Sequence, residues 1–189
     1  MVEELVKLDF KIMGVITNDI NIPCYENQLI ETIITYKLED TKRITLLDIK
    51  DTHNLSTKNI SKLQLAKNIN EEVIVLYDFS KGLNVKEINY YIRLFLKLVS
   101  KYNKRIILVS KDMNFLMKIC DIFVYYDKKI VYKTTDIYDD KLSNYLDLPN
   151  IVKFVKLANK KGACLNNTTD INELIKDIYR RLNAGKNNF

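Results

Sequence analysis

Two short runs, VIVLYD at 73–78 and RIILVS at 105–110, are apolar without alternation. A strand with one wet face alternates apolar and polar residues, so an unbroken apolar run fits a strand covered on both faces, as at the centre of a parallel sheet. Between the two runs, Ile88, Ile92, Phe95, Leu96 and Val99 recur at helical spacing, which predicts a crossover helix over 84–102 and hence a βαβ unit. Further branched and aromatic runs at 10–17, 43–49, 122–126 and 129–133 predict additional strands. Strands alternating with helical patterns imply an α/β protein, a mostly parallel sheet flanked by helices. Residues 111–120 allow a short helix, and Tyr125-Tyr126-Asp127-Lys128-Lys129 reads as a tight turn joining an antiparallel edge hairpin.

The tail has a different pattern. Ile151, Val155 and Ala158 space one helix, Gly162 ends it, and Thr168 or Thr169 is placed to cap another. On that last helix Ile171, Leu174, Ile175, Ile178, Tyr179 and Leu182 form one stripe, expected to be buried on the sheet domain, on a partner, or on both. The division read from these patterns is an α/β domain over 1–145, a small C-terminal helical appendage over 146–184 and a disordered tail over 185–189.

A chain of 189 residues can bury one main core but is short for two full domains. No window approaches the roughly eighteen apolar residues that a membrane-spanning helix needs. The N-terminus carries Glu3 and Glu4 and lacks a basic segment followed by an apolar run, so a cytoplasmic protein is expected. Cys24, Cys120 and Cys164 are far apart and odd in number, and His53 is the single histidine. That set offers neither a disulfide framework nor a zinc site. His53 has no Ser, Cys or carboxylate arrangement around it that would give it a catalytic role. The net charge of +6 comes mostly from lysines interleaved with acids and asparagines, a solvated surface and not the clustered footprint of a nucleic-acid binder. Tyr90, Tyr91, Tyr125, Tyr126 and Tyr132 fit packing at strand edges and helix faces better than base stacking.

Several motifs follow one another in a telling order. The first is Leu76-Tyr77-Asp78-Phe79-Ser80-Lys81-Gly82-Leu83-Asn84, and a helix and a strand later comes Ile106-Ile107-Leu108-Val109-Ser110-Lys111-Asp112-Met113. Cys120-Asp121-Ile122-Phe123-Val124 and Asp127-Lys128-Lys129-Ile130-Val131 come next, then Leu148-Pro149 and Lys161-Gly162 ahead of the terminal helix. In this order and spacing, the stretch resembles the second half of an ABC-type ATPase, specifically the energy-coupling factor transporter ATPases that drive bacterial vitamin and metal-ion uptake. Upstream, Leu55-Ser56-Thr57-Lys58 through Ala66 is similar to a shortened signature helix of that family without its two glycines. The resemblance implies a P-loop NTPase-like fold, and an intact ABC ATPase subunit, a transporter membrane subunit or a second copy of the chain as partner. No nucleic acid is expected.

The chemistry that the family carries is missing. A phosphate loop needs glycines that let backbone N–H groups converge on the phosphates. Here the first strand leads through Gly14-Val15-Ile16-Thr17-Asn18-Asp19-Ile20-Asn21-Ile22-Pro23, and Gly14 is the only glycine before Gly82. The span 18–72 is too short for the family's helical subdomain and glutamine loop. At the position of the magnesium-binding aspartate stands Tyr77, at the glutamate that polarises the attacking water Asp78, at the γ-phosphate histidine Lys111, and at the aspartate of the dimer loop Asn84. These four are vestigial ATPase positions, with no catalytic residue, no bound cofactor and no metal implied. Three of them also have a plainer reading: Tyr77 as a packing residue, Asp78 as a turn cap, Lys111 as a solvated side chain. The expected function is that of a pseudo-ATPase, a structural or regulatory partner of a transporter, cytoplasmic or peripheral at the inner face of the cell membrane. The alternatives are altered nucleotide binding with weak hydrolysis through Asp78, and a basic interaction module for nucleic acid or anionic lipid.

Overall fold

Of the two continuous apolar runs expected at the centre of the sheet, RIILVS lies inside it, whereas VIVLYD forms the end strand among the described residues, its half-buried residues alternating with buried ones. The computed structural model describes residues 1–18 and 56–186; the strand expected at 43–49, Cys24 and His53 lie outside the described residues. Its strands are β1 (Ile12–Thr17), β2 (Val73–Tyr77), β3 (Arg105–Val109), β4 (Ile122–Asp127) and β5 (Lys129–Thr134). Its helices are α1 (Val2–Leu5), α2 (Thr57–Asn68), α3 (Val85–Tyr102), α4 (Met113–Leu116), α5 (Asn150–Lys160) and α6 (Ile171–Lys186). Among the described residues, five strands form one sheet in the order β2-β3-β1-β4-β5. The first four are mutually parallel, and β5 returns antiparallel beside β4. Lys128 takes a left-handed conformation, φ 58°, at the turn of that hairpin. The protein is therefore α/β with a mostly parallel sheet flanked by helices. Among the described residues no helix is long and apolar enough to cross a membrane.

The chain divides into two compact units, Met1–Thr135 and Asp136–Phe189, with the division ten residues ahead of the boundary read from the sequence. In the first unit one sheet face buries Leu5, Met13, Val15, Ile107, Val109 and Val124 together. The short α1, which the sequence patterns did not reveal, supplies Leu5 to that cluster. On the opposite side of the pleat lie Ile74, Leu76, Ile106 and Leu108, none more than 1% exposed. The ring of Phe79 meets Tyr91 edge-on at 4.9 Å and Phe95 at 5.1 Å. Burying a ring such as Phe95 contributes about 1.5–3 kcal/mol.

Helix α3 starts as its sequence directs: Asn84 accepts the Glu87 N–H and the Glu87 carboxylate accepts the Asn84 N–H, a reciprocal capping box. It ends at Asn103 in the left-handed region, φ 51°. The buried face differs from the stripe read off the sequence. Tyr91, Phe95 and Leu98 face inward, and Leu96 is 51% exposed. Opposite its polar side the apolar arc of this helix is broad, so period alone does not fix which part of it faces the sheet; docking of Tyr91 and Phe95 onto Phe79 does.

Two further features hold β1 centrally. The Asp121 carboxylate accepts the N–H groups of Lys11 at 2.9 Å and Ile12 at 3.1 Å, pairing donors at the strand's entry. At Gly14 a Cβ would stand 3.1 Å from the Cys120 sulfur and 3.3 Å from Leu116 Cδ1. Glycine here permits close approach of the segment after α4 to the strand, and it is not part of a loop. Burial and then the Asp121 charge push the Cys120 thiol well above its usual range, leaving it protonated and inert.

In the second unit α5 and α6 enclose Val155, Leu165 and Leu174, with Tyr138, Ile151, Ala158 and Ile178 packed around them. The Tyr138 hydroxyl donates to the Thr168 carbonyl at 2.5 Å and accepts the Thr168 N–H at 3.1 Å, fastening the loop before α6. The cap of α6 is Asp170, whose carboxylate accepts the Asn172 N–H at 2.7 Å; Thr168 instead accepts the Asp170 N–H. Of the stripe expected to be buried on α6, Leu174 is buried, whereas Ile171, Ile175, Tyr179 and Leu182 are 44% exposed or more. Helix α6 continues to Lys186, past the expected start of a tail at 185, and 187–189 lie outside the described residues.

Asp177 is buried to 7% exposure beside that stripe. It accepts the Asn166 N–H and pairs with Arg181, and these interactions hold its carboxyl below the ordinary 3.8. A group whose folded pKa is depressed stabilises the folded state above its unfolded pKa and loses that contribution as pH falls through the folded value. The second unit is therefore expected to weaken on acidification below the ordinary aspartate value. Asp177→Asn should flatten that part of the profile, measured by far-ultraviolet circular dichroism in urea across acid pH. An unchanged acid profile in the variant would assign the dependence to other carboxylates.

Candidate functional site

The carboxyl ends of parallel strands are where open α/β sheets place their ligand sites. Here the register sets Tyr77 of β2 beside Val109 of β3 and Val109 beside Val15 of β1. The residues that follow β2 and β3, Asp78 and Ser110, consequently emerge next to each other at one edge. Asp78 takes a left-handed conformation, φ 44°, which Asp tolerates better than most residues. Its N–H still donates to the Val109 carbonyl at 2.8 Å, so the ladder runs one residue past β2 before the chain turns.

The side chains at this edge bond to one another. Ser110 Oγ donates to Asp78 Oδ1 at 3.1 Å and accepts the Asp112 N–H at 3.1 Å. Ser80 Oγ donates to Asp112 Oδ2 at 2.8 Å, and Asp112 Oδ1 accepts the Phe115 N–H at 3.2 Å, capping α4. Ser80 and Ser110 are both buried. Asp112 thus spends both oxygens on protein donors, and one oxygen of Asp78 is spent as well. A carboxylate used this way holds two turns together; it is poorly placed to take a proton from water.

The four vestigial positions separate. Asp78 lies within the network, as a turn residue whose carboxylate is held by Ser110. Tyr77 packs on the cluster around Leu5 and Met13, on the sheet face and away from the turn. Lys111 is exposed between Ser110 and Asp112. Asn84 caps α3. The turn between Asp78 and Asn84 is pinned to α2 by Gly82, φ 79°, which lies against Thr57, and Lys58 pairs with Glu87 from the same helix end. Among the described residues no group of three or more His, Cys, Asp or Glu side chains is gathered so as to hold a metal ion.

Sequence reasoning passed over Ser80, Ser110 and Asp112 as a unit. Asp112 did carry a signal, since an Asp three residues before Phe115 has the spacing of a helix cap. The pairing of Ser80 with it carried none, because the two are thirty-two positions apart. Also missed was Gln64. Buried on α2, it accepts the Tyr77 N–H at 2.8 Å and donates to the Tyr77 carbonyl at 3.1 Å, closing the outer edge of β2.

No protein-family model matches the chain, and no curated protein matches it. What the chain does is accordingly to be read from these residues.

Proposed function

We propose that this chain is a pseudo-ATPase, related to the ATPases of energy-coupling factor transporters and acting as a structural or regulatory partner of a transporter ATPase or membrane subunit. The observation that carries the reading is the convergence of its motifs. The sheet brings the turn after Asp78 and the Ser110-Lys111-Asp112 turn to one edge, beside β1. That is where a P-loop NTPase-like fold would assemble its phosphate site from the same motifs. In this chain the polar groups at that edge bond to each other, Gly14 is committed to packing against Cys120, and Tyr77 offers no carboxylate. Among the described residues the exposed Lys81 and Lys111 are the cations of these two turns, and the sequence after β1 has no glycine-rich loop to cradle phosphates beside them, which supports a reading without phosphoryl transfer.

A retained fold without chemistry is useful as a surface. Ile171, Ile175, Tyr179 and Leu182 follow one side of α6, all substantially exposed. Their stripe supports a role for the second unit in contacting the partner. The decisive measurement is co-purification of the tagged chain from detergent-solubilised membranes of its native host, with mass spectrometry of what accompanies it. A transporter ATPase or membrane subunit is expected, and it should be lost on Tyr179→Asp. Recovery of a lone monomer would sink the proposal. In parallel, titration with magnesium and ATP should show no saturable binding; turnover that disappears on Asp78→Asn would shift the reading to a weak ATPase.

A further inference from the structure

On the sheet unit, away from the Asp78 edge, two adjoining hollows of about 470 and 140 Å³ share Ile69 and Leu94 and form one groove between α2 and α3. Its floor is apolar, built from Leu65, Ala66, Ile69, Leu94 and Leu98. Lys62, Lys97 and Lys104 line its sides. Lys104 is held in place by its own bonds to the carbonyls of Asn70 and Glu71, both 2.8 Å. Of the acids nearby, Glu87 is already paired with Lys58. Tyr90 and Tyr102 stand along the groove on α3, 49% and 53% exposed.

We infer that this groove docks an acidic amphipathic helix from a partner protein. Three features select that occupant. Apart from Ile69, Asn70 and Lys104 in the adjoining turns, the walls come from the two helices, whose backbone groups are bonded internally; among the described residues no strand edge lines the groove, and an extended peptide would bury unpaired N–H and C=O groups of its own. A helix satisfies its own backbone and presents apolar residues at i, i+3, i+4 and i+7 to the floor. The run from Tyr90 to Tyr102 on α3 spans about 18 Å, roughly three turns of a matching helix. Positive charge on the sides attracts carboxylates flanking the occupant's apolar stripe and repels lysines there. Its lining residues are not those of the α6 stripe, and its docking role does not depend on the chain being a transporter pseudo-ATPase.

The test uses the full chain and two labelled synthetic helices of about fourteen residues, with identical Leu positions and either Glu or Lys at the flanking positions. Fluorescence anisotropy should show saturable one-to-one binding of the Glu helix, about tenfold or more tighter than the Lys helix. Lys97→Glu and Tyr102→Ser change exposed side chains and should leave the fold intact by circular dichroism, yet each should weaken the Glu helix by about threefold or more. Leu94→Asp should remove binding. Equal affinity for both helices, or binding indifferent to Lys97→Glu and Tyr102→Ser, would overturn the inference. So would evidence for another occupant: a concentration-dependent dimer abolished by Leu94→Asp, or dodecanoate saturating the groove and shifting the amide signals of Leu94 and Ile69.

Discussion

Gly82→Ala is expected to destabilise the sheet unit by about 2–3 kcal/mol, because two costs fall on one methyl group. The residue sits at φ 79°, where an L side chain is strained, for about 1 kcal/mol. The added Cβ would also lie 2.3 Å from Thr57 Oγ1 and 3.2 Å from the Lys58 nitrogen. Thr57 Oγ1 must leave its place to make room, and the nitrogen belongs to the first turn of α2 and cannot move without displacing the helix. The two contributions separate in the Thr57→Ala background. There the same Gly82→Ala change should cost only about half as much, since the closest atom is gone while the backbone strain remains. Urea denaturation, followed by amide hydrogen exchange at Ile74 and Leu76, measures both. If the cost is equal in the two backgrounds, the Thr57 hydroxyl contributes nothing, and the backbone strain together with the Lys58 nitrogen accounts for it.

Replacing Gln64 by Met should cost about 2–4 kcal/mol, although the two side chains have similar length and shape. If Gln64 merely filled space, a volume-conserving exchange would cost less than about 1.5 kcal/mol. Its amide instead bonds both the N–H and the C=O of Tyr77 at the outer edge of β2, and Met can make neither bond. Gln64→Glu discriminates further. A carboxylate still accepts the Tyr77 N–H but faces the carbonyl without a proton to give, so it should fall below the wild type and recover part of its loss when the carboxyl is protonated at low pH. The readout is the denaturation midpoint of each variant with the slope held common. A Met variant as stable as the wild type would mean that water serves the β2 edge equally well.

Both positions show how unevenly the structure was legible beforehand. The βαβ unit was readable because period is a local property: the VIVLYD and RIILVS runs became β2 and β3, and the helix between them began at Asn84 with the Asn-x-x-Glu spacing of a capping box. The hairpin was readable for the same reason, through Asp127-Lys128-Lys129. The rotation of α3 was not, since its apolar arc is broad enough to take in both Phe95 and Leu96, about 100° apart, and contact with Phe79 decides which of them turns inward. Nor was the state of α6. Its amphipathic stripe was evident, but whether a stripe is covered depends on what packs against it, and only Leu174 with half-buried Ile178 found the α5 cluster.

The candidate site divides along the same line. Sequence marked Asp78 and Lys111 by their place in a motif, and marked Gly14 by the absence of glycines around it. It could not show that the Asp78 carboxylate is held by Ser110, that Ser80 reaches Asp112, or that Gly14 lies against Cys120. These contacts join residues thirty or more positions apart, and the sequence carries no periodic signal at such separations.

By itself, then, the sequence determined the kind of elements, the approximate order in which they occur and the lack of a glycine-rich phosphate cradle, all of which follow from residue type and near-neighbour spacing. Only the tertiary structure decided which carboxylates are engaged, which apolar faces stay open and where a groove forms between α2 and α3. Those properties depend on the distance between groups remote in the chain, and the sheet's strand order sets that distance.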